Sequence, residues 1–169
     1  MTISDTEGDR GVRAQLRRCG TPLDAVTVPA AISLARRLGR VPERGAPPWK
    51  QKGFERALSL AIVLAHVRVN TSTNLLRTLG WGQFPHDKKE TDATEGRPLL
   101  SELRFKRFLQ TDGEDQLVTA FSRLVALAGD ETDVTDLARV FLTWDDDRTK
   151  RDLALTYFRA TTTGLDARD

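Results

Sequence analysis

The sequence predicts an all-α protein, a compact bundle of seven or eight short helices in one body or two small lobes. Three observations predict it. Apolar residues recur at spacings of three and four in segment after segment. Glycine and proline fall at the ends of those segments. No stretch alternates apolar and polar residues between hairpin turns. At 169 residues the chain is long enough to bury a sizeable core.

Residues 1–9 are polar and acidic, so they read as a flexible N-terminus with no signal peptide. A helical domain is expected over residues 10–162, with residues 163–169 as a flexible tail. The first helix covers Arg10–Cys19, with Val12, Leu16 and Cys19 on one face and Gly20 as its stop. Thr21-Pro22 reads as a cap and first-turn pair for a short turn, and Pro29-Ala30 opens a second helix that Gly39 ends. The stretch from Arg40 to Trp49 carries Pro42, Gly45, Pro47 and Pro48 and reads as a linker. A third helix is expected from Phe54 to Val69. It is apolar on nearly every side, so it should be central and buried. Ser72–Leu79 reads as a short helix, and residues 81–98 as a long mobile loop. Ser101 is placed to cap a helix to Leu109 that carries Leu103, Phe105 and Phe108. Glu114–Ala128 follows, closed by Gly129. Asp133 caps a helix with Leu137, Val140, Phe141 and Trp144 on one stripe. The last helix, Arg148 to about Thr162, is expected to start on Asp147 as N-cap and to bury Leu153, Tyr157 and Phe158.

Catalytic chemistry finds little support. One cysteine and two histidines nearly exclude a zinc site and weaken most nucleophile–base arrangements. His66 lies on the buried-looking third helix and reads as structural. His86 lies in the long loop beside Asp87, without a second partner. Cys19 reads as a small hydrophobe, and its being alone points to a reducing, cytoplasmic setting. Asp145-Asp146-Asp147 could attract a hard cation, but three adjacent carboxylates rarely converge on one ion. Gly80-Trp81-Gly82 lacks the sequel of a phosphate-binding loop. No enzyme activity, metal or cofactor is expected. No apolar run approaches the roughly 20 residues that cross a bilayer.

Charge is more informative. Residues 10–77 hold 13 basic and three acidic residues, whereas residues 112–147 hold ten acidic and two basic ones. The net charge of +2 therefore hides a basic half, about residues 10–77, and an acidic-to-mixed half, about residues 99–162. Arginines dominate, and their planar fork suits phosphate. Arg13, Arg17 and Arg18 fall opposite the apolar stripe of the first helix. Arg36 and Arg37 close the second. Lys50, Lys52 and Arg56 stand at the entrance to the third. Arg77 ends the short fourth helix, and Arg104, Lys106 and Arg107 crowd the fifth. Such clusters fit a surface that grips a nucleic-acid backbone without reading bases. The candidate contacts are Arg17, Arg18, Arg36, Arg37, Lys50, Lys52, Arg56, Arg77, Arg104 and Arg107. A protein-only helical adaptor and a stand-alone single-strand-binding protein remain alternatives. The second needs exposed aromatics for stacking, and only Trp49 and Trp81 fall outside the helical stripes.

The order of short motifs resembles the CasB small subunit of the type I-E CRISPR surveillance complex, Cascade. Leu16-Arg17-Arg18 and Val28-Pro29-Ala30 come first, then the apolar helix and Leu75-Leu76-Arg77-Thr78-Leu79. Ser101-Glu102-Leu103-Arg104 and Arg123-Leu124-Val125-Ala126-Leu127-Ala128 follow. Ala138-Arg139, Leu142-Thr143-Trp144 and Tyr157-Phe158 close the series. The resemblance implies a non-catalytic helical subunit in antiviral defence, usually present in two copies beside the backbone and large subunits. Its basic face would hold the target and displaced DNA strands of the R-loop by their phosphates, next to the guide RNA, with base reading left to guide pairing. Where the family tends to carry a second tryptophan after Trp144, this chain has Asp145. Its acidic turn is therefore expected to avoid DNA, and the acidic segment to face a protein neighbour. Arg139, within that segment, is expected to serve packing or a salt bridge.

Overall fold

The computed structural model describes residues 7–81 and 98–166. Among them are nine α-helices and one small sheet. In chain order these are α1 (Glu7–Arg18), α2 (Pro22–Ala25), α3 (Pro29–Arg37), α4 (Pro48–Leu64), β1 (Val69–Asn70) and α5 (Leu75–Trp81). Then come α6 (Glu102–Leu109), α7 (Glu114–Leu127), β2 (Glu131–Thr132), α8 (Val134–Leu142) and α9 (Asp147–Asp166). The protein is helical, as the periodicity predicts. The expected long loop, with His86, lies outside the described residues except for Trp81, which belongs to α5, and Pro98.

Helix α4 is the centre. Eight consecutive residues, Arg56–Val63, are buried, and two turns of unbroken burial leave no solvent side. Helices α1, α2, α3, α7 and α8 all pack on it, while α5 packs on α9 and α7. The helix is displaced from the expected Phe54–Val69. It starts at Pro48 because a proline at the first helical position has no N–H to leave unpaired and a backbone already set for a helix. It ends at Leu64 because the chain then turns into β1. That strand pairs in parallel with β2, Val69 opposite Glu131 and Asn70 opposite Thr132. Two residues per strand are too few for alternation to show in a sequence.

The helix ends follow local chemistry. Thr21 and Asp24 form a reciprocal capping box on α2. Helices α3 and α7 both close in Schellman motifs. Gly39 (φ +63°) and Gly129 (φ +81°) take the left-handed position. Arg40 N–H then reaches Ala35 O at 2.8 Å and Asp130 N–H reaches Val125 O at 3.0 Å. Helix α5 starts at Leu75 and not at Ser72, and Asn74 caps it, its Oδ1 accepting from Arg77 N–H at 2.8 Å. Asp146, not Asp147, caps α9, accepting from Arg148 N–H at 2.9 Å. Asp147 instead opens the first turn, where its charge complements the helix dipole. Helix α1 begins three residues before the expected Arg10, and α9 runs four beyond Thr162.

A chain of aromatic rings joins α6, α7, α8 and α9. Phe105 stacks on Tyr157 at 4.1 Å, and Phe108 meets Phe121 at 5.1 Å and Trp144 at 4.7 Å. Phe141 closes edge-on to Phe121 at 5.0 Å. The polar atoms of these rings are satisfied: Trp144 Nε1–H donates to Thr111 O at 3.0 Å, and Tyr157 O–H donates to Leu100 O. Two expected core residues stay outside. Leu103 is 60% exposed and Phe158 41%, because each falls on the outer edge of its helix.

Arg56 is the one charged residue in the buried stretch of α4, only 6% exposed. Its Nε donates to Glu114 Oε1 at 2.6 Å and its Nη1 to Phe141 O at 3.1 Å. Its Nη2 reaches both Asp145 carboxylate oxygens at 3.3 Å. One side chain thus fastens α4 to the start of α7 and the end of α8. Burial alone would raise the Asp145 carboxyl. The hydrogen bond from Lys52 and the Arg56 charge outweigh it and hold the group below its ordinary value.

Arg56→Ala should lower the unfolding free energy by about 3–5 kcal/mol in urea denaturation, because it strands the Glu114 carboxylate in a dry site. Arg56→Met combined with Glu114→Gln should recover more than half of that loss. A double variant no more stable than Arg56→Ala would show that the pair is not what holds α4 to α7.

Candidate nucleic-acid interface

The ten cations singled out from the sequence divide into three groups. Arg56 is withdrawn from any surface by its burial between α4, α7 and α8, which corrects the expectation that it meets phosphate. Lys52 is exposed but its Nζ lies 2.9 Å from Asp145 Oδ2. Arg17 is half-buried, and its Nε donates to Ala65 O at 2.7 Å. Arg13, one turn earlier on α1, donates to Val67 O. These two side chains do not fall on the solvent side of α1, as expected, but close the C-terminal end of α4. The cause is electrostatic: the last carbonyls of a helix lack backbone donors and carry the negative end of its dipole.

The other seven, Arg18, Arg36, Arg37, Lys50, Arg77, Arg104 and Arg107, are exposed. Arg18, Arg36, Arg37 and Arg107 sit in the last turns of α1, α3 and α6, where a cation is locally favourable. Among the described residues, no carboxylate pairs with any of these four or with Arg104. Lys50 Nζ lies 5.6 Å from the centre of the Trp49 ring.

The acidic segment explains the division. Asp130 pairs with Arg68 at 3.0 Å, Asp136 with Arg139 at 2.7 Å, and Glu114 and Asp145 with Arg56 and Lys52. Arg139 therefore makes the salt bridge expected of it. Asp133 and Asp146 cap helices. Much of the acidic charge of this segment is thus taken up in pairs and caps within the chain. In particular Asp145, Asp146 and Asp147 have three separate local roles. Among the described residues no group of three or more His, Cys, Asp or Glu side chains could hold a metal ion, and no helix is long and apolar enough to cross a membrane.

Two further residues join the surface that are not among the ten candidate contacts, although Trp49 already stands out in the sequence as an aromatic outside the helical stripes. Trp49 is 69% exposed on the first turn of α4. Arg40 lies across Gly53, one turn further along α4; a Cβ on Gly53 would stand 3.3 Å from Arg40 Nη1 and 3.6 Å from its Cδ. For Arg40 the added signal is a glycine early in an otherwise strong helix, a position that usually marks a close approach.

His66 stands just past α4, half-buried. Burial, then the Arg17 guanidinium, hold it below its ordinary value of 6.5, against the opposing pull of Asp130. A lowered folded value means the folded state binds fewer protons than the unfolded one. Stability should therefore be complete above pH 6.5 and decline as pH falls through 6.5 toward the folded value. His66→Gln should flatten that decline in urea midpoints measured between pH 7.5 and 5. Arg17→Ala should cost about 1–2 kcal/mol and shift the His66 titration upward by NMR, whereas Arg18→Ala should stay within about 0.5 kcal/mol of wild type. Equal effects of the two arginine changes would contradict the clamp.

A family model described as CRISPR-associated protein Cse2 matches residues 12–158 of 169. No curated protein and no solved structure matches the chain. The family match spans every element from α1 to most of α9 and agrees with the order of motifs read from the sequence. The chain belongs to the CRISPR-associated Cse2 family, the CasB small subunits of the type I-E Cascade complex.

Proposed function

We propose that this subunit is non-catalytic and stabilises the R-loop by holding the phosphates of the target and displaced DNA strands. The observation that carries the reading is the sorting of the cations. Arg56, Lys52, Arg68, Lys106 and Arg139 have carboxylate partners within the chain. Arg18, Arg36, Arg37, Arg104 and Arg107 remain exposed and unmatched among the described residues. Arg36 with Arg37, and Arg104 with Arg107 three residues apart, are like charges close together, and a polyanion relieves that repulsion. Their distribution over α1, α3 and α6 suits an extended backbone, which presents phosphates at regular intervals. In such a role guide pairing reads the sequence and the arginines need only meet phosphate. Within Cascade the partners would be the backbone subunit, the large subunit, a second copy of this chain, guide RNA and target DNA. The setting would be the cytoplasm.

Replacing Arg18, Arg36, Arg37, Arg104 and Arg107 together with alanine should leave the melting temperature within a few degrees of wild type. DNA affinity should fall by on the order of 1 kcal/mol per arginine, and the salt slope by about one unit for each phosphate no longer neutralised. In assembled Cascade the defect should appear as faster R-loop collapse with guide RNA retained. Wild-type DNA affinity in the five-fold variant, across a salt series, would refute the proposal. Purified chain should cleave neither DNA nor RNA with or without Mg²⁺. Cleavage abolished by changing Asp145–Asp147 or His86 would overturn the non-catalytic reading.

A further inference from the structure

We infer that Trp49 is a stacking platform for an unpaired base of single-stranded DNA, with Arg40 and Lys50 placed to hold the flanking phosphates. The inference rests on the phosphate-holding role proposed above and adds a specific contact to it.

Trp49 is the most exposed large aromatic side chain among the described residues, at 69%, while Trp144 is at 1%. The ring is not part of the hydrophobic core cluster, and Lys50 Nζ lies over it, 5.6 Å from its centre. It stands at the mouth of a groove between the start of α4 and the end of α8, lined also by Arg40, Lys52, Gly53 and Leu142. Trp49 and Gly53 are four residues apart, so they share one face of α4. The absent side chain of Gly53 makes room for Arg40, whose Nη1 would stand 3.3 Å from a Cβ there. The Schellman turn at Gly39 delivers Arg40 there, its N–H bonded to Ala35 O at 2.8 Å. Three separate features therefore converge: an uncovered ring, a glycine that makes room, and a helix stop that aims the arginine.

Charge selects the occupant. The first turn of α4 carries no acidic residue. Glu55 belongs to the neighbouring face with Pro48 and Gln51. Asp145 borders the groove, but Lys52 and Arg56 hold its carboxylate. Of the cations at the groove, Lys52 and Arg56 are matched by Asp145, which leaves Arg40, with Lys50 beside the ring, as the cations that no carboxylate pairs with among the described residues. A base with a phosphate on each side has the matching chemistry, since every base has a π-face and every linkage a negative charge. A duplex keeps its bases stacked on each other, so only an unpaired strand can use the ring.

The test compares the full-length wild-type chain, Trp49→Ala, Trp49→Phe and Arg40→Ala. Each is titrated with a fluorescent thymidine oligonucleotide, with the same sugar–phosphate strand lacking bases, and with a duplex. Wild type should prefer the thymidine strand to the abasic strand, and Trp49→Ala should lose affinity for the thymidine strand by about tenfold while binding the abasic strand unchanged. Trp49→Phe should recover most of the loss. Tryptophan emission should be quenched by the thymidine strand in wild type and not in Trp49→Phe. Arg40→Ala should weaken both single strands alike and reduce the salt slope by about one unit. Equal binding of both strands by wild type, with a steep salt slope, would overturn the platform and leave the phosphate role standing. No binding of any strand would overturn both. A Trp49→Ala chain that binds DNA normally but no longer enters assembled Cascade would assign the ring to a protein neighbour and overturn the inference.

Discussion

Helix α4 is wrapped on all sides, and a wrapped helix has a problem at each point where it carries polarity. Its one buried charge, Arg56, needs partners from outside the helix, and it takes them from the N-terminus of α7 and the C-terminal end of α8. Such a pair is a weak source of net stability, because desolvation offsets most of the attraction. Its effect is on register. Glu114 is the first residue of α7, and Phe141 O lies near the end of α8, so satisfying one guanidinium fixes where both helices sit along α4. The carbonyls just beyond the C-terminus of α4 raise the same problem and are answered by Arg13 and Arg17 from α1. Helices from both halves of the sequence are thereby indexed to α4 by arginines.

Those uses of arginine explain how far the sequence was legible. Periodicity located the helices because it reports burial directly: the stripes of α6, α7 and α8 contain the rings that meet in the core. Boundaries were legible where a cap is encoded locally, as at Thr21, Gly39, Gly129 and Asp133. They were misplaced where two candidates adjoin, as with Asp146 and Asp147, or where tertiary pairing intervenes, as at β1. Arginine roles were the least legible. Arg17 and Arg18 are neighbours on one helix, yet one is bonded to the end of α4 and the other faces water. A helical turn of about 100° separates those fates, and composition is blind to it.

The uneven charge along the chain also changes meaning once the pairs are known. A basic half and an acidic half suggested two surfaces, one for nucleic acid and one for a protein neighbour. Much of the acidic segment instead folds back onto cations or caps helices: Asp145 onto Lys52 and Arg56, Asp130 onto Arg68, Asp136 onto Arg139. Internal pairing removes particular cations from the surface and leaves a defined remainder. That remainder is a sharper statement about function than the original excess, because it names side chains that no carboxylate matches among the described residues. It also makes Arg139 a natural counter-example, an arginine of the same type wholly engaged with its neighbour three residues away.

The two ends of α4 show the same logic in opposite senses. At its C-terminal end the protein supplies its own cations, Arg13 and Arg17, and burial and Arg17 hold His66 below its ordinary value. The cations there serve the fold and are not free to meet a ligand. At its N-terminal end nothing comparable occurs. Pro47 offers no side-chain cap, and no carboxylate stands in the first turn. Trp49 is left uncovered, with Arg40 beside it. Trp144, 1% exposed, is absorbed into the core by contrast, its indole N–H bonded to Thr111 O. A folded chain covers large rings when it can, since each buries a large apolar area. A ring left in water, among cations the fold does not need, is therefore the part of the surface whose partner is least explained by folding and best explained by binding.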